Sequence, residues 1–333
     1  MINPKRDKGH KETDKRLTEL EKKLTKEYEQ ASREVEEKLN NYLKRYEVKD
    51  AIKREQVKAG TLKKSEYLQW RKGQVMIGRR WAEMQDALAN DMHNVNKIAK
   101  AMIDKSVKDA YALNHNYGTF EVEKGSLLDT SYTLYSRETV ERLMRDNPEM
   151  LPPPQPHSKT AKRIKQGKDK LWNRQVIQSV MTQSILQGEA MPKIAKRLAE
   201  AVGDKNRVSA IRNARTMTTG AQNAGRRDAY IRAQDLGIEL ENEWIATLDP
   251  VTRDSHRDTD GERIPVGDDE VFSNGLRFPG DPYGPPAEVY NCRCVLQAVL
   301  KKYDTIRADD LGLRYNKDLG GMTYEEWKEG HNG

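Results

Sequence analysis

Two cysteines and one histidine near the end of the chain have side chains that can bind a metal ion. Cys292 and Cys294 are the only cysteines among 333 residues, and they lie one residue apart. Thiolates at this spacing can both face one ion, and His256 adds the imidazole that suits zinc beside two thiolates. The candidates for a fourth ligand are Asp249, Asp258, Asp260 and a water molecule.

The same residues also fit an interpretation without a metal. Zinc fingers usually carry two C-x2-C pairs, whereas this chain has a single C-x-C pair. Two small residues in a strand beside an Asn turn explain Cys292 and Cys294, and on spacing alone we favour that interpretation slightly. The pair is too close in sequence to form a useful disulfide, which indicates synthesis in a reducing cytoplasm.

Two kinds of hydrolytic chemistry are further alternatives for residues 244–294. A cysteine with His256 and an acid would form a thiol hydrolase, but no Gly-rich oxyanion loop follows either cysteine. An acidic loop with a histidine could hold a hard metal ion against DNA, as in a metal-dependent nuclease. Asp260-Gly261 is a turn signal in its own right, so we favour a structural role. The nuclease residues would be Asp249, His256, Asp258 and Asp260.

A second enzyme class is suggested by short motifs upstream. An E-x-E pair on a strand, with an arginine and hydroxyl residues before it, is similar to parts of ADP-ribosyltransferases. Three short matches arise easily in a Lys- and Glu-rich protein, so a solvated strand face is the favoured interpretation. The residues are Arg215, Thr216, Thr218, Glu239 and Glu241.

The residues around the cysteines and the histidine predict a compact, irregular element. Gly and Pro are concentrated there, together with Asp-Gly and Pro-Gly turns. Arg253 is expected to pair with Asp249 or Asp260 and so to hold the turn. The structural motif consists of Trp244, Asp249, Arg253, Asp260, Gly261, Pro279, Gly280, Asp281, Pro282, Glu288 and Asn291.

Composition indicates a helix-rich chain with much exposed surface. Only 36% of residues are hydrophobic, 33% are charged, and the mean hydropathy is -0.94. No apolar run approaches the roughly 20 residues that span a bilayer, so no membrane association is expected. The net charge of +7 is spread among interleaved signs, which allows weak, nonspecific contact with DNA without demanding it.

The first half predicts two long helices that form an antiparallel hairpin. Apolar residues recur every three or four positions over 17–46, in a narrow stripe that suits pairing within the chain or with another subunit. This helix should follow a frayed start over 1–15 and end near residue 60. A second helix should run over about 65–113, and 114–131 should be less regular.

The second half predicts further helices and a small β element. Helices are expected over 138–145 and 169–187. Residues 191–236 should form two more, separated by Val202-Gly203-Asp204. Strands are expected near 238–245 and 294–300, and the polar tail with Tyr303, Tyr315, Tyr324 and Trp327 should dock loosely. The fold class is therefore α+β, predominantly α-helical, with a long N-terminal helical hairpin and a C-terminal helical domain ending in a small loop-rich β element.

Prolines mark the expected domain boundary. Five prolines lie between Pro148 and Pro156, and such a run cannot form a helix or a central strand. The predicted organisation is a long-helix partner-docking region over 1–147, a Pro-rich linker over 148–158, a domain over 159–300 and a tail over 301–333.

The motifs from Trp244 to Cys294 together resemble the C-terminal domain of phage head morphogenesis proteins, the minor head proteins similar to protein F of phage Mu. The resemblance covers about 171–300 and includes Arg215-Thr216, although Met217 replaces a glutamate common in the family. Many members have cysteines at the positions of Arg253 and His256, giving four ligands that suit zinc. Here only His256 can bind at those positions, so three strong ligands remain.

The resemblance implies a structural minor head protein of a tailed phage or prophage, without enzymatic activity. It implies association with the portal protein, and contacts with scaffold or major capsid protein, during procapsid assembly and DNA packaging or ejection. Its location would be the interior of the procapsid or virion, after synthesis in the host bacterial cytoplasm. The alternative is an enzyme acting on nucleic acid or protein through 244–294, either a metal-dependent nuclease or an ADP-ribosyltransferase-like protein.

Overall fold

The computed structural model describes residues 7–150, 162, 164–301 and 311–331. The chain divides into two compact units. The first comprises Met1–Leu20, Met102–Ser158 and Arg212–Gly333, and the second comprises Glu21–Ala101 and Lys159–Ile211. The domain division predicted from the prolines stays a prediction, and residues 151–158 of the linker lie outside the described residues.

Long helices dominate, which confirms the predicted fold class. The helices of the described residues are α1 (Lys8–Lys58), α2 (Lys64–Val75), α3 (Arg79–Ser126), α4 (Arg137–Asp146), α5 (Lys168–Leu186), α6 (Met191–Asp235), α7 (Asp254–Asp258), α8 (Pro286–Val289), a 3-10 helix (Lys317–Gly321) and α9 (Tyr324–Gly330). The strands are β1 (Leu128–Asp129), β2 (Leu240–Ile245), β3 (Arg263–Pro265), β4 (Val295–Leu300) and β5 (Arg314–Tyr315).

The predicted hairpin is present in the second unit. The hydroxyl of Tyr28 donates to Asn96 Oδ1 at 2.8 Å, and the rings of Tyr42 and Trp81 lie 5.9 Å apart. The earlier residue of α1, Tyr28, contacts the later residue of α3, and the later residue, Tyr42, contacts the earlier one. The two helices are therefore antiparallel. The apolar stripe of α1 is buried against its own chain from Leu20 to Tyr42, so it packs as a helix seam.

These helices differ from the prediction at three places. α1 begins at Lys8, so residues 8–15 are helical and not frayed. The expected second helix is interrupted between α2 and α3 at Gly78, whose φ of 100° lies in the region that favours glycine. This break shifts the helical phase and leaves Ile77 exposed. The stretch 114–131 is also largely helical, because α3 continues to Ser126.

A buried polar network holds α3, α5 and α6 together in the second unit. Asn96 Nδ2 donates to Asp169 Oδ2 and to Asn206 Oδ1, each at 3.0 Å. His93 Nδ1 lies 2.8 Å from the other oxygen of the same aspartate. Buried polar groups have to be paired, so this network sets the register of the three helices.

α6 is one continuous helix, and the predicted interruption at Val202-Gly203-Asp204 is wrong. A Cβ on Gly203 would collide with the hydroxyl of Ser32 on α1. The glycine therefore allows a close approach between two helices of the second unit and does not end a helix. The predicted end near Gly237 is confirmed, since this glycine has a φ of 87° just after α6.

A three-stranded antiparallel sheet in the first unit has the order β3-β2-β4. Trp244 of β2 lies opposite Leu296 of β4, and Glu241 lies opposite Pro265 of β3. The strands expected near 238–245 and 294–300 are thus confirmed as one pair. Their pairing places the end of β2, next to Thr247, beside the cysteine segment.

The C-terminal residues 311–331 are docked tightly, so the expected loosely docked tail is wrong for this range. Trp327 is 1% exposed, and its indole N–H donates to Glu123 Oε2 at 2.5 Å. Tyr324 stacks on Tyr117 with ring centroids 3.8 Å apart. Paired aromatic rings bury much apolar area, which holds this segment on α3. Tyr315 is exposed, and Tyr303 lies outside the described residues.

The contact between α6 and α3 gives a stability test. A Cβ on Gly225 would lie 2.5 Å from the backbone oxygen of Tyr111, and this backbone cannot move aside cheaply. We expect Gly225→Ala to lower the free energy of unfolding by about 1–3 kcal/mol, as overpacking does. Urea denaturation followed by circular dichroism measures it.

Gly73→Ala is the matched control, because an added Cβ at this helical position meets no atom within 4 Å. It should raise the stability by about 0.4–1 kcal/mol through the unfolded state. Equal stability changes in the two variants would contradict the close contact at Gly225.

Candidate functional site

The cysteine segment is anchored on one face of α6. Thr219 Oγ1 donates to the carbonyl oxygen of Cys292 at 2.8 Å. Asn223, one turn further along α6, donates to the carbonyls of Pro279 at 2.8 Å and Cys294 at 3.1 Å. The same amide accepts from the backbone N–H of Leu296 at 2.9 Å. The helix therefore fixes the backbone on both sides of the cysteine pair.

The loop over residues 278–282 packs on the same helix, with one glycine of the loop against one glycine of the helix. A Cβ on Gly220 would lie 2.8 Å from the carbonyl oxygen of Gly280, so the two backbones nearly touch. Gly280 has a φ of 79°, which favours glycine. Asp281 then closes the loop, since both of its oxygens accept from the guanidinium of Arg277 at 2.8 Å.

The turn before the first cysteine depends on Asn291. Its φ is 53°, in the left-handed region that asparagine enters more readily than other non-glycine residues. Its backbone N–H donates to Thr216 Oγ1 of α6 at 3.2 Å. This turn redirects the chain so that both cysteines face the same histidine.

His256, Cys292 and Cys294 come together in the structure. The Nδ1 atom of His256 lies 3.7 Å from the sulfur of Cys292 and 3.4 Å from that of Cys294. All three residues are buried, and they are one of the groups among the described residues whose ligand atoms could hold a metal ion. Loops far apart in sequence thus converge on one buried cluster.

The distances fit a tetrahedral zinc site. Zn–S bonds of about 2.3 Å and Zn–N bonds of about 2.0 Å at tetrahedral angles place nitrogen and sulfur roughly 3.5 Å apart. The two nitrogen–sulfur distances of 3.4 and 3.7 Å lie on either side of this value. The residues present therefore fit the metal, with His256, Cys292 and Cys294 as ligands.

The electrostatics of the sulfur pair also suit a cation. A hydrogen bond from Cys292 lowers the pKa of the Cys294 thiol. The same contact between the sulfurs, together with burial, raises the pKa of Cys292. The thiolate is the form that binds metals. The two thiols therefore differ in acidity, and a cation beside them would favour the ionised form of both.

Two of the three carboxylates expected as a fourth ligand have other partners. Asp249 binds the guanidinium of Arg293 through both oxygens, one contact being 2.9 Å, and this hydrogen bonding holds the pKa of the aspartate well below its usual range. Asp260 accepts from the backbone N–H of Ala246 at 2.7 Å, next to Gly261 with its φ of 79°. Neither carboxylate belongs to the cluster.

Arg253 does not pair with Asp249 or Asp260 as expected. Its guanidinium donates to the carbonyl oxygen of Tyr290 at 2.5 Å. It therefore joins the start of α7 to the end of α8, and it still holds the segment closed. The expectation was wrong because Arg293, between the two cysteines, takes Asp249 instead.

Trp244 and Glu288 surround the histidine ring. The ring of Trp244 lies 5.2 Å from that of His256 in an edge-to-face arrangement and is fully buried. Glu288 Oε2 lies 2.9 Å from His256 Nε2, on the side of the ring away from the sulfurs. Both belong to the predicted motif, and the structure places both against the histidine. Pro282 follows Asp281 in the same loop.

The residues of the ADP-ribosyltransferase alternative lie on α6 and in or beside β2. Thr216 and Thr218 are buried in α6, and Thr216 donates to the carbonyl of Arg212 at 2.9 Å. Glu239 precedes β2, and Glu241 lies within it.

Of the proposed nuclease residues, His256 is buried, whereas Asp258 is exposed at the end of α7. The carboxylates therefore do not converge on the histidine.

Sequence reasoning missed the two anchoring residues Thr219 and Asn223. Their signal was present: they are polar residues at adjacent turns of a run rich in Ala and Gly, Thr219-Gly220-Ala221 and Asn223-Ala224-Gly225. A small-residue stripe predicts close packing. A polar residue within it must find a partner in the packed element.

Comparison with known proteins shows a family match over the part of the chain that holds this site. Residues 175–297 match the family described as Phage Mu protein F like protein. This range contains α6, β2, β3, the first half of β4 and the whole His-Cys-Cys cluster, so the segment is a phage Mu protein F-like domain. The resemblance inferred from the motifs is thereby confirmed.

A curated protein is also similar to the chain over a wider range. NAD(+)--arginine ADP-ribosyltransferase EFV of Enterococcus faecalis (strain ATCC 700802 / V583) is 24% identical over 247 residues, which cover 72% of this chain and 48% of that protein. The chain thus spans about half the length of the curated relative that it matches.

No solved structure matches the chain. Among the described residues, none of the helices combines the length and apolar character needed to cross a membrane.

The role of Asn223 can be tested by truncation. Asn223→Ala would leave the carbonyls of Pro279 and Cys294 and the N–H of Leu296 without this partner. Each unpaired buried group costs about 1–3 kcal/mol, so we expect a loss of at least about 2 kcal/mol in the free energy of unfolding. Asn41→Ala, at an exposed position of α1, should change it little. A loss below 0.5 kcal/mol (about the scatter of surface substitutions) for Asn223→Ala would contradict its anchoring role.

Proposed function

We propose that the protein is a minor head protein of a tailed phage or prophage, and that it acts without enzymatic activity in procapsid assembly and DNA packaging or ejection. The observation that carries the proposal is the phage Mu protein F-like domain at residues 175–297. The burial of the His-Cys-Cys cluster supports a structural role, because substrates bind in clefts that are open to solvent.

The portal protein is the proposed main partner, with the scaffold and the major capsid protein as further contacts. The second unit offers exposed helix surface for docking on a helical partner. Val48 and Ile52 lie one turn apart on α1, and both are exposed. The net charge of +7 is compatible with weak, nonspecific DNA contact inside the head. The proposed location is the interior of the procapsid or virion.

We propose further that His256, Cys292 and Cys294 hold a structural zinc ion. The metal would neutralise two sulfurs in a buried site and would cross-link the loops that carry the ligands. α6 and β4 hold the cysteines, and α7 holds the histidine. The zinc would stabilise the fold of the domain, so no catalytic step is assigned to it.

An enzymatic role is the second candidate, because the curated relative is named as an NAD(+)–arginine ADP-ribosyltransferase. The chain spans about half of that protein, and the similarity carries no assignment of its activity to this half. The burial of Thr216 and Thr218 supports the structural proposal over this alternative. NAD hydrolysis and arginine ADP-ribosylation by the purified protein would overturn the non-enzymatic proposal.

Co-purification with the cognate portal protein tests the proposed partner. The two proteins, expressed together, should elute as one complex in size-exclusion chromatography. Replacing Val48 and Ile52 with Asp should weaken binding at least tenfold, which corresponds to about 1.4 kcal/mol. Val208→Asp, at an exposed position of α6, should leave binding unchanged. Separate elution of the wild-type proteins would contradict the portal partnership.

Metal analysis tests the proposed zinc centre. The purified wild-type protein should contain stoichiometric zinc, and Cys292→Ser or Cys294→Ser should remove most of it. Asp249→Asn should retain zinc, because this carboxylate is bound to Arg293 and lies outside the cluster. A wild-type protein free of zinc after purification without chelators would refute the centre.

A further inference from the structure

The imidazole of His256 is held from both sides, and each ring nitrogen has a different neighbour. Nδ1 faces the two sulfurs, at 3.7 and 3.4 Å. Nε2 lies 2.9 Å from a carboxylate oxygen of Glu288, a charge contact without hydrogen-bond geometry. The ring is 1% exposed, so solvent cannot substitute freely for either neighbour. The two nitrogens therefore have separate roles fixed by the fold.

A neutral imidazole carries one proton, and its position decides which nitrogen can bind a metal. A carboxylate beside Nε2 attracts the proton to that nitrogen, which leaves the lone pair on Nδ1. Nδ1 is the nitrogen directed at Cys292 and Cys294. The carboxylate thus favours the tautomer in which His256 can join the two thiolates.

Glu288 is itself fixed by its surroundings. The hydroxyl of Ser255 donates to the same oxygen, Oε2, at 2.8 Å. Glu288 lies in α8, a short helix that begins with Pro286, and its side chain is only partly exposed. The carboxylate therefore joins α8 to α7 and holds a defined position beside the ring.

We infer that Glu288 is a positioning residue for a metal centre: it fixes the ring and the tautomer of His256 so that Nδ1 binds a zinc ion together with Cys292 and Cys294. This inference rests on the proposed zinc centre, and it adds a residue that does not touch the metal. Carboxylates that hold metal-binding histidines typically contribute about 10–100-fold to metal affinity. Glu288 is thereby distinguished from Asp249 and Asp260, which have unrelated partners.

The test measures zinc affinity by competition with a chromophoric chelator, using the full chain. Glu288→Gln keeps the size of the side chain and removes its charge, and we expect zinc binding to weaken about 10–100-fold. Glu288→Asp keeps the charge and should lose less. Glu262→Gln is the matched control, because Glu262 binds Ser273 and lies outside the cluster. Its zinc affinity should equal that of the wild type.

A spectroscopic measurement separates positioning from general destabilisation. In the metal-free protein, ¹⁵N-labelled histidine spectra should show the His256 proton on Nε2, and Glu288→Gln should shift the tautomer population toward Nδ1. Thermal unfolding of the metal-free variant checks that the domain is folded.

The outcomes are distinct. Wild-type zinc affinity in Glu288→Gln, with zinc bound by the wild type, would overturn the inference and leave the zinc centre intact. Absence of zinc from the wild type would overturn both. A proton on Nδ1 in the metal-free wild type would overturn the positioning role whatever the zinc content.

Discussion

The domain depends on the side-chain amide of Asn223. It is buried, and it makes hydrogen bonds to Pro279, Cys294 and Leu296 at once. These backbone groups belong to a loop and to a strand. Without the amide of Asn223 they would face α6 with no hydrogen-bond partner. Since buried backbone groups must be paired, the amide allows an irregular segment to pack on α6. Thr219 does the same for Cys292 one turn earlier.

This anchoring explains why the cluster can be formed from distant parts of the sequence. α6 fixes the cysteines, β2 brings Trp244 and the chain after it alongside them, and α7 presents His256. The three side chains then converge in a buried space whose distances match tetrahedral coordination. Such a site favours a rigid structural element, because all three of its side chains are buried.

The helices and the principal strand pair were largely predictable from sequence. Periodicity identified α1, α4 and α5 because each buries one face. It failed at Gly203 and Gly78, where the same residue type serves two purposes: close packing within a helix at the first, and a break at the second. A glycine's role depends on its spatial neighbours, and those are not contained in a local pattern.

The candidate ligands of the site could be predicted from the sequence, whereas the hydrogen-bond partners of the surrounding residues could not. Cys292, Cys294 and His256 were identified by residue type, and the fold brings them together. The partners of Arg253, Asp249 and Asp260 depend on which polar groups the fold places next to them. The sequence does not contain that information, so these partners could not be inferred. Arg293 lies between the cysteines in sequence, yet its guanidinium reaches Asp249.

The central claim is that one histidine and two cysteines form a metal centre that holds the domain together. X-ray absorption at the zinc edge tests it most directly on the purified protein. The account predicts two sulfur neighbours at about 2.3 Å and nitrogen or oxygen neighbours at about 2.0 Å, and Cys294→Ser should lose most of its zinc. A shell of oxygen and nitrogen alone, unchanged by that substitution, would contradict the account.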